Sequence, residues 1–166
     1  MFSLKNNGYT ASVITISDKG AVGLREDKSG PLAVKLLTAM GFDIIRADII
    51  SDDKENISSE LIKHSDQGIN LIITSGGTGA SPRDNTPEVT LDVGEREMPG
   101  LSEMMRMKGM EITPFSVLSR GRSVIRGNSL IVNLPGNPKA VSENLEILEP
   151  VLAHAVKMLI GRDIEH

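Results

Sequence analysis

The segment LIITSGGTGASPRDNTPE, Leu71 to Glu88, sets how the rest of the chain is read. Its first four residues are apolar or β-branched and predict a buried strand. Three glycines follow, Gly76, Gly77 and Gly79, interleaved with the hydroxyls of Ser75 and Thr78. Glycine lets backbone N–H groups come close to an anion, so a strand ending in such a loop is a candidate phosphate cradle. Asn85-Thr86-Pro87-Glu88 then reads as a helix start, with Thr86 as N-cap, Pro87 in the first turn and Glu88 at the positive end of the helix dipole. Between loop and helix stand Arg83, able to hold a phosphate, and Asp84, able to hold a metal or steer a proton. A tight turn with solvated charges explains the same residues when the loop is taken alone. The loop lacks the closing Lys-Ser/Thr of a P-loop and the third glycine of the dinucleotide fingerprint.

The flanking sequence supplies the frame for that loop. Tyr9 to Ile16, Phe42 to Ile50 and Ile69 to Thr74 predict strands. A helix after Pro31, with apolar Leu32, Leu36, Leu37 and Met40, and another from about Lys54 to Gln67, with Ile57, Leu61 and Ile62, lie between them. Strands alternating with helices predict an α/β fold with a parallel sheet and helices on both faces. Ligands in such folds bind beyond the carboxyl ends of the strands, which should gather Ser17-Asp18, Asp52 and the Gly76 loop along one edge. Asp52 is equally suited to cap the helix after it.

Downstream the pattern is less regular. A methionine-rich helix is expected at about Leu101 to Met110, for packing or a subunit contact. Short strands at Phe115 to Leu118 and Ser123 to Ile125 are expected to form a hairpin across Arg120-Gly121. Leu130 to Leu134 predicts the last core strand. It enters Pro135-Gly136-Asn137-Pro138-Lys139, where Asn137 is a second N-cap before a helix to about Ile160 that bends or restarts at Pro150. The N-terminus of that helix is a second candidate anion site.

The 166 residues suit one domain over 1–166. The net charge of −4 and an aromatic content of 2% argue against a nucleic-acid partner. No apolar run is long enough to predict a membrane span. The segment MFSLKNNGYT lacks the apolar core of a signal peptide, so the cytoplasm is the expected location. The absence of cysteine removes disulfides, thiolate nucleophiles and cysteine-ligated metals. His64, His154 and His166 have no second ligand at metal spacing and are expected to be structural or solvent-facing. A bound metal would be a hard cation, Mg²⁺, on Asp52 and Asp84. Basic residues cluster late, at Arg106, Lys108, Arg120, Arg122, Arg126 and Lys139, and Arg120 is the favoured anion ligand among them.

Thr15-Ile16-Ser17-Asp18, Asp27-x-Ser29-Gly30-Pro31, TSGGTGASPRDNTPE, Glu97-Met98-Pro99-Gly100, Leu118-Ser119-Arg120 and NLPGNPKA together resemble the molybdopterin adenylyltransferase family of molybdenum cofactor synthesis. The resemblance runs from about Ala11 to Ile160. It implies a three-layer α/β/α sandwich with a mostly parallel sheet and a homotrimer. The implied reaction transfers AMP from ATP to the terminal phosphate of molybdopterin, with Mg²⁺ and release of pyrophosphate, and possible hand-over to a molybdenum insertase. The family's two important aspartates fall at Asp52 and Asp84. Its Asp-Glu pair reads Asp52-Asp53 here, so either carboxylate is a candidate. Ser17, Asp18, Asp27, Ser29, Gly30, Ser75, Gly76, Gly77, Thr78, Gly79, Arg83, Ser119, Arg120, Pro135, Gly136, Asn137, Pro138 and Lys139 are the expected contacts to molybdopterin and nucleotide. Two alternatives are a non-catalytic molybdopterin-binding module and a flavodoxin-like or sugar-phosphate-binding domain with a chance glycine loop.

Overall fold

A computed structural model describes residues 6–161. The first residues of the N-terminal segment and His166 lie outside them. Six strands form one sheet: β1 (Thr10–Ile16), β2 (Asp43–Ile50), β3 (Leu71–Ser75), β4 (Arg96–Glu97), β5 (Ser123–Arg126) and β6 (Ser129–Leu134). Their order is β2-β1-β3-β6-β5-β4. The first four are parallel, and β5 and β4 add antiparallel at the far edge. Six helices cover the sheet: α1 (Asp18–Ala21), α2 (Ser29–Ala39), α3 (Lys54–Asp66), α4 (Thr86–Val93), α5 (Pro99–Gly109) and α6 (Pro138–Leu159).

Period-two alternation of side chains divides the central strands between two cores. Val13, Ile73, Val132 and their neighbours pack with Leu37 of α2, Met105 of α5 and Leu145 of α6. Ile14, Ile72 and Ile131 point the other way, onto Ile57 and Leu61 of α3 and Val89 of α4. This is the expected three-layer α/β/α arrangement. Every residue of β3 is buried, as the apolar run suggested, whereas edge strand β2 alternates exposed and half-buried positions. The exposed face of β2 carries Asp43 and Ile45, and a charge on a sheet edge discourages pairing with another chain.

Several local expectations are corrected. Phe115 to Leu118 is not a strand but part of a 3₁₀ turn, Pro114–Leu118, started by Pro114 and capped by the Thr113 hydroxyl. Its apolar side chains face outward, so no sheet neighbour holds them extended. The hairpin therefore joins β5 to β6 across Gly127, whose φ of 53° a glycine tolerates, and not across Arg120-Gly121. The Ser17-to-Gly20 loop is a helical turn, α1, capped by the Ser17 hydroxyl. α2 begins at Ser29, earlier than the apolar pattern implied, because Asp27 accepts hydrogen bonds from the Ser29 and Gly30 amides. Thr86 does not cap α4. It is the first helical residue, and its Oγ1 is buried without a partner beneath Gly77. α6 passes Pro150 without a break.

Candidate active site

The parallel strands β1, β2, β3 and β6 all end at one edge, and the order in which strands are added to the sheet reverses between β1 and β3. Their exit loops enclose a cleft of about 970 Å³ at that switch point. Ser17, Asp52, Ser75 to Gly79, Asp84 and Pro135 to Pro138 line it, together with Asp27 and Ser29 on the facing rim. The expected juxtaposition of Asp52, the glycine loop and Asp84 is thus present.

The glycines are required by the backbone. Gly76 has φ 110° and Gly77 φ 67°, and a Cβ on either would collide, with the Ile16 carbonyl or with Thr86 Oγ1 respectively. Gly76 N–H donates to the Leu134 carbonyl. The amides of Gly77, Thr78 and Gly79 have no acceptor among the described residues, although all three residues line the cleft. Free donors on a tight loop are what an incoming phosphate requires.

The carboxylates divide by role. Asp53 caps α3, accepting from the amides of Glu55 and Asn56. Asp52 lines the cleft instead, so the capping alternative belongs to its neighbour. Asp52 and Asp18 exchange hydrogen bonds, Asp18 N–H to Asp52 Oδ2 at 3.1 Å and Asp52 N–H to Asp18 Oδ1 at 2.9 Å. Burial pushes the Asp52 carboxyl above its ordinary value, and the charges of Asp18 and Asp84 add to the rise. The Asp18 carboxyl is held low, chiefly by the Asp52 amide and then by Arg83. Asp84 Oδ2 accepts from Ser81 N–H at 2.9 Å. Asp52 and Asp84 each keep one oxygen free of any hydrogen bond among the described residues, two hard donors bordering one cleft. This donor set fits Mg²⁺ completed by phosphate oxygens and water.

Other expected contacts hold loops in place. Asp27 is fully used, accepting from Thr15 Oγ1 at 2.8 Å as well as from the α2 amides. Gly30 packs against it, where a side chain would not fit. The Ser29 hydroxyl donates to the Gly136 carbonyl at 2.6 Å and the Ser75 hydroxyl to the Pro135 carbonyl at 3.2 Å, tying the last loop to the cleft. Asn137 caps α6 through Lys139 N–H and Ala140 N–H, which uses the amides expected to bind an anion. Asp18, Gly30, Arg83, Ser119, Arg120 and Lys139 do not line the cleft. Arg83 is ion-paired to Asp18, and Lys139 to Glu143 at 3.6 Å. Arg120 donates from Nε to the Gly79 carbonyl at 2.8 Å and from its terminal nitrogens to the Asp84 carbonyl at 2.7 Å and to Glu88. Its own amide donates to the Thr78 carbonyl at 2.9 Å. Arg120 therefore fastens the later part of the glycine loop, from Thr78 to Asp84, and is not a free anion ligand. Burial opposes ionisation of Glu88, but Arg120 outweighs it and holds that carboxyl low.

Two features escaped the sequence. The cleft also takes Arg25 and Lys28, whose only signal is their place just before Ser29-Gly30. A second pocket of about 300 Å³ shares Thr78, Gly79 and Pro135 with the cleft and runs between α5 and α6 past Ser119, Asn133, Glu143 and Asn144. Nothing in the spacing links α5 to α6. Away from both, His64 takes the structural role expected of it, but it does have carboxylates at ligand distance, contrary to the spacing argument. It is fully buried, with Ser12 Oγ 2.8 Å from Nδ1 and Asp48 Oδ2 3.0 Å and Glu60 Oε2 3.5 Å from Nε2. Asp48, Glu60 and His64 offer ligand atoms within 4.8 Å of one another, but Arg46 already pairs with both carboxylates. His154 is exposed.

A probable molybdopterin-binding domain matches residues 12–154. The chain belongs to that family. It is 37% identical over 152 residues to the molybdopterin adenylyltransferase of Helicobacter pylori, covering 90% of this chain and 86% of that one. It is 38% identical over 156 residues to the molybdenum cofactor biosynthesis bifunctional protein of Synechococcus elongatus, spanning 94% of this chain but only 49% of that longer one. Among solved structures, the molybdopterin biosynthesis enzyme MoaB of Thermus thermophilus superposes with a TM-score of 0.88 at 41% identity, over 93% of this chain and 98% of that one. The family's fold is the one described above, and its matched residues include the whole glycine loop and the entry to α6.

Proposed function

We propose that this chain transfers AMP from ATP to the terminal phosphate of molybdopterin, releasing pyrophosphate, in the synthesis of the molybdenum cofactor. Its similarity to molybdopterin adenylyltransferases over most of its length supports the activity. The observation that carries the mechanism is the pairing of three free loop amides with two half-free carboxylates in one cleft.

In this reading a non-bridging oxygen of the molybdopterin phosphate attacks the α-phosphorus of ATP. A new P–O bond forms, and the α–β bridging oxygen departs with its electron pair as part of pyrophosphate. The nucleophile is the substrate's own oxygen, so no activated serine, cysteine or histidine is required. The protein's task is to position two polyanions and offset their repulsion. The amides of Gly77, Thr78 and Gly79 meet phosphate oxygens, and Asp52 and Asp84 would hold Mg²⁺. The cation supplies charge neutralisation at the reacting phosphates. The apolar second pocket, which adjoins the cleft at Thr78 and Gly79, offers room for one flat heterocycle.

A homotrimer working in the cytoplasm, where ATP is available, completes this reading, with the adenylylated product passed to a molybdenum insertase. Mass spectrometry after mixing the protein with ATP, Mg²⁺ and molybdopterin tests it. Adenylyl-molybdopterin is expected. Bound but unmodified molybdopterin would mean a binding module instead.

A further inference from the structure

The positive charge that must meet the substrate phosphates is not where the sequence suggested. Arg83 is bound to Asp18, Arg120 to the glycine loop and Glu88, and Lys139 to Glu143. The first amides of α2 and α6 are taken by Asp27 and Asn137. Among the described residues, the cationic side chains that line the cleft are Arg25 and Lys28.

Both stand on the segment between α1 and α2, which is fastened at each end. The Leu24 and Arg25 amides donate to the Lys19 carbonyl at 2.9 and 3.2 Å. At the other end Asp27 is locked by Thr15 and the α2 amides, and the Ser29 hydroxyl reaches across to Gly136. The backbone is thereby held on the cleft rim, while Arg25 and Lys28 are exposed and make no ion pair among the described residues. Glu26, Asp27, Asp52 and Asp84 also line the cleft, so an anionic ligand there needs the unpaired charges of Arg25 and Lys28 to offset their repulsion.

We propose that Arg25 and Lys28 bind the β- and γ-phosphates of ATP and retain them as pyrophosphate leaves. The inference rests on the adenylyl-transfer reading. The reacting α-phosphorus belongs at the carboxylates and free amides. Attack and departure lie roughly in line, so the leaving group extends away from molybdopterin, toward one wall. As the α–β bond breaks, its electron pair goes to the bridging oxygen and negative charge grows on pyrophosphate. Cations placed there stabilise the transition state more than the bound substrate. Two adjacent cations also suit a diphosphate better than the single monoester of molybdopterin.

The test combines calorimetric titration of Mg²⁺-pyrophosphate with steady-state kinetics for Arg25→Gln, Lys28→Gln and Lys19→Gln. Lys19 is exposed on α1, outside the cleft, and controls for net charge. Each cleft substitution is expected to weaken pyrophosphate binding and raise KM for ATP about tenfold, the scale of one charge-assisted hydrogen bond, and to lower kcat as well, because the contact strengthens in the transition state. KM for molybdopterin and the Lys19→Gln protein should be unchanged. Wild-type affinity for pyrophosphate in both cleft variants overturns the proposal. So does an equal loss in Lys19→Gln, or a rise in KM for molybdopterin alone. If the wild-type protein forms no adenylyl-molybdopterin, the parent reading fails, while the pyrophosphate titration still reports on the two side chains.

Discussion

Asp52 and Asp53 are adjacent and chemically alike, and backbone direction alone gives them different work. Asp53 faces the amides of α3, and Asp52 faces the cleft. Asp53→Ala should lower stability by about 1 kcal/mol, the usual worth of an N-cap, and leave turnover intact. Asp52→Asn should do the reverse. The Asp52 carboxyl is raised in the folded protein, so its ionisation costs stability as pH rises through that raised value. An amide relieves this at neutral pH and can still accept from the Asp18 amide. Thermal melts at pH 7 should show Asp52→Asn at least as stable as wild type while adenylyl transfer collapses; a lowered melting point with intact transfer would make Asp52 structural. His64 provides a second check. Burial holds its pKa below the unfolded value of 6.5, so its contribution to stability is complete above that value and is lost as pH falls toward the folded one. Denaturant titrations should lose stability below about pH 6.5 less steeply in His64→Gln than in wild type. The sequence marked both aspartates, but their division of labour depends on one φ/ψ step. Glu60, four residues before His64 on the same helix, was a legible partner that the reading passed over, whereas Ser12 and Asp48 meet His64 only through the β1–β2–α3 packing.

At the scale of elements, the glycine loop was legible because a buried strand, three glycines and a Pro-led helix each carry a local signal. What holds the loop was not legible. Arg120 reaches it from a segment 41 positions away in the chain, and only tertiary contact reveals that its fork spans the Gly79 and Asp84 carbonyls. Arg120→Ala should cost about 2 kcal/mol, since the two bonds to carbonyls are charge-assisted. The half-exposed pair with Glu88 adds little to that. Turnover should fall with it, because Asp84 and the free amides lose their common anchor. Lysine cannot span both carbonyls, so Arg120→Lys should restore little. Wild-type kcat in Arg120→Lys would show that charge alone, and not the fork, is what the loop needs. The misread strand at Phe115 has the converse cause. Its β-type residues carry strand propensity, but no neighbouring strand is present to pair with them.

For the whole molecule, alternating strands and helices made the parallel sheet, and the edge where its strand ends gather, legible in the sequence. The antiparallel edge was harder, since β4 is two residues long and carries no periodicity. One surface is still unexplained by the monomer. Met107 on α5, Met110 and Ile112 just after it, and Phe115, Val117 and Leu118 on the 3₁₀ turn are exposed, whereas Met105 of α5 is in the core. Contiguous exposed apolar residues commonly mark an interface. Equilibrium sedimentation at micromolar concentration should give a species heavier than a monomer, and Phe115→Glu should shift it toward the monomer; a wild-type monomer across that range would remove the trimer from this account. Label transfer from α-labelled ATP under single-turnover conditions shows whether the strand-end cleft carries out adenylyl transfer. The wild-type protein should move the label onto molybdopterin. Asp84→Asn should still bind molybdopterin but transfer label about a hundredfold more slowly, the loss of roughly 3 kcal/mol of electrostatic stabilisation. Transfer at the wild-type rate in Asp84→Asn, in a protein that melts normally, would contradict the assignment of the cleft.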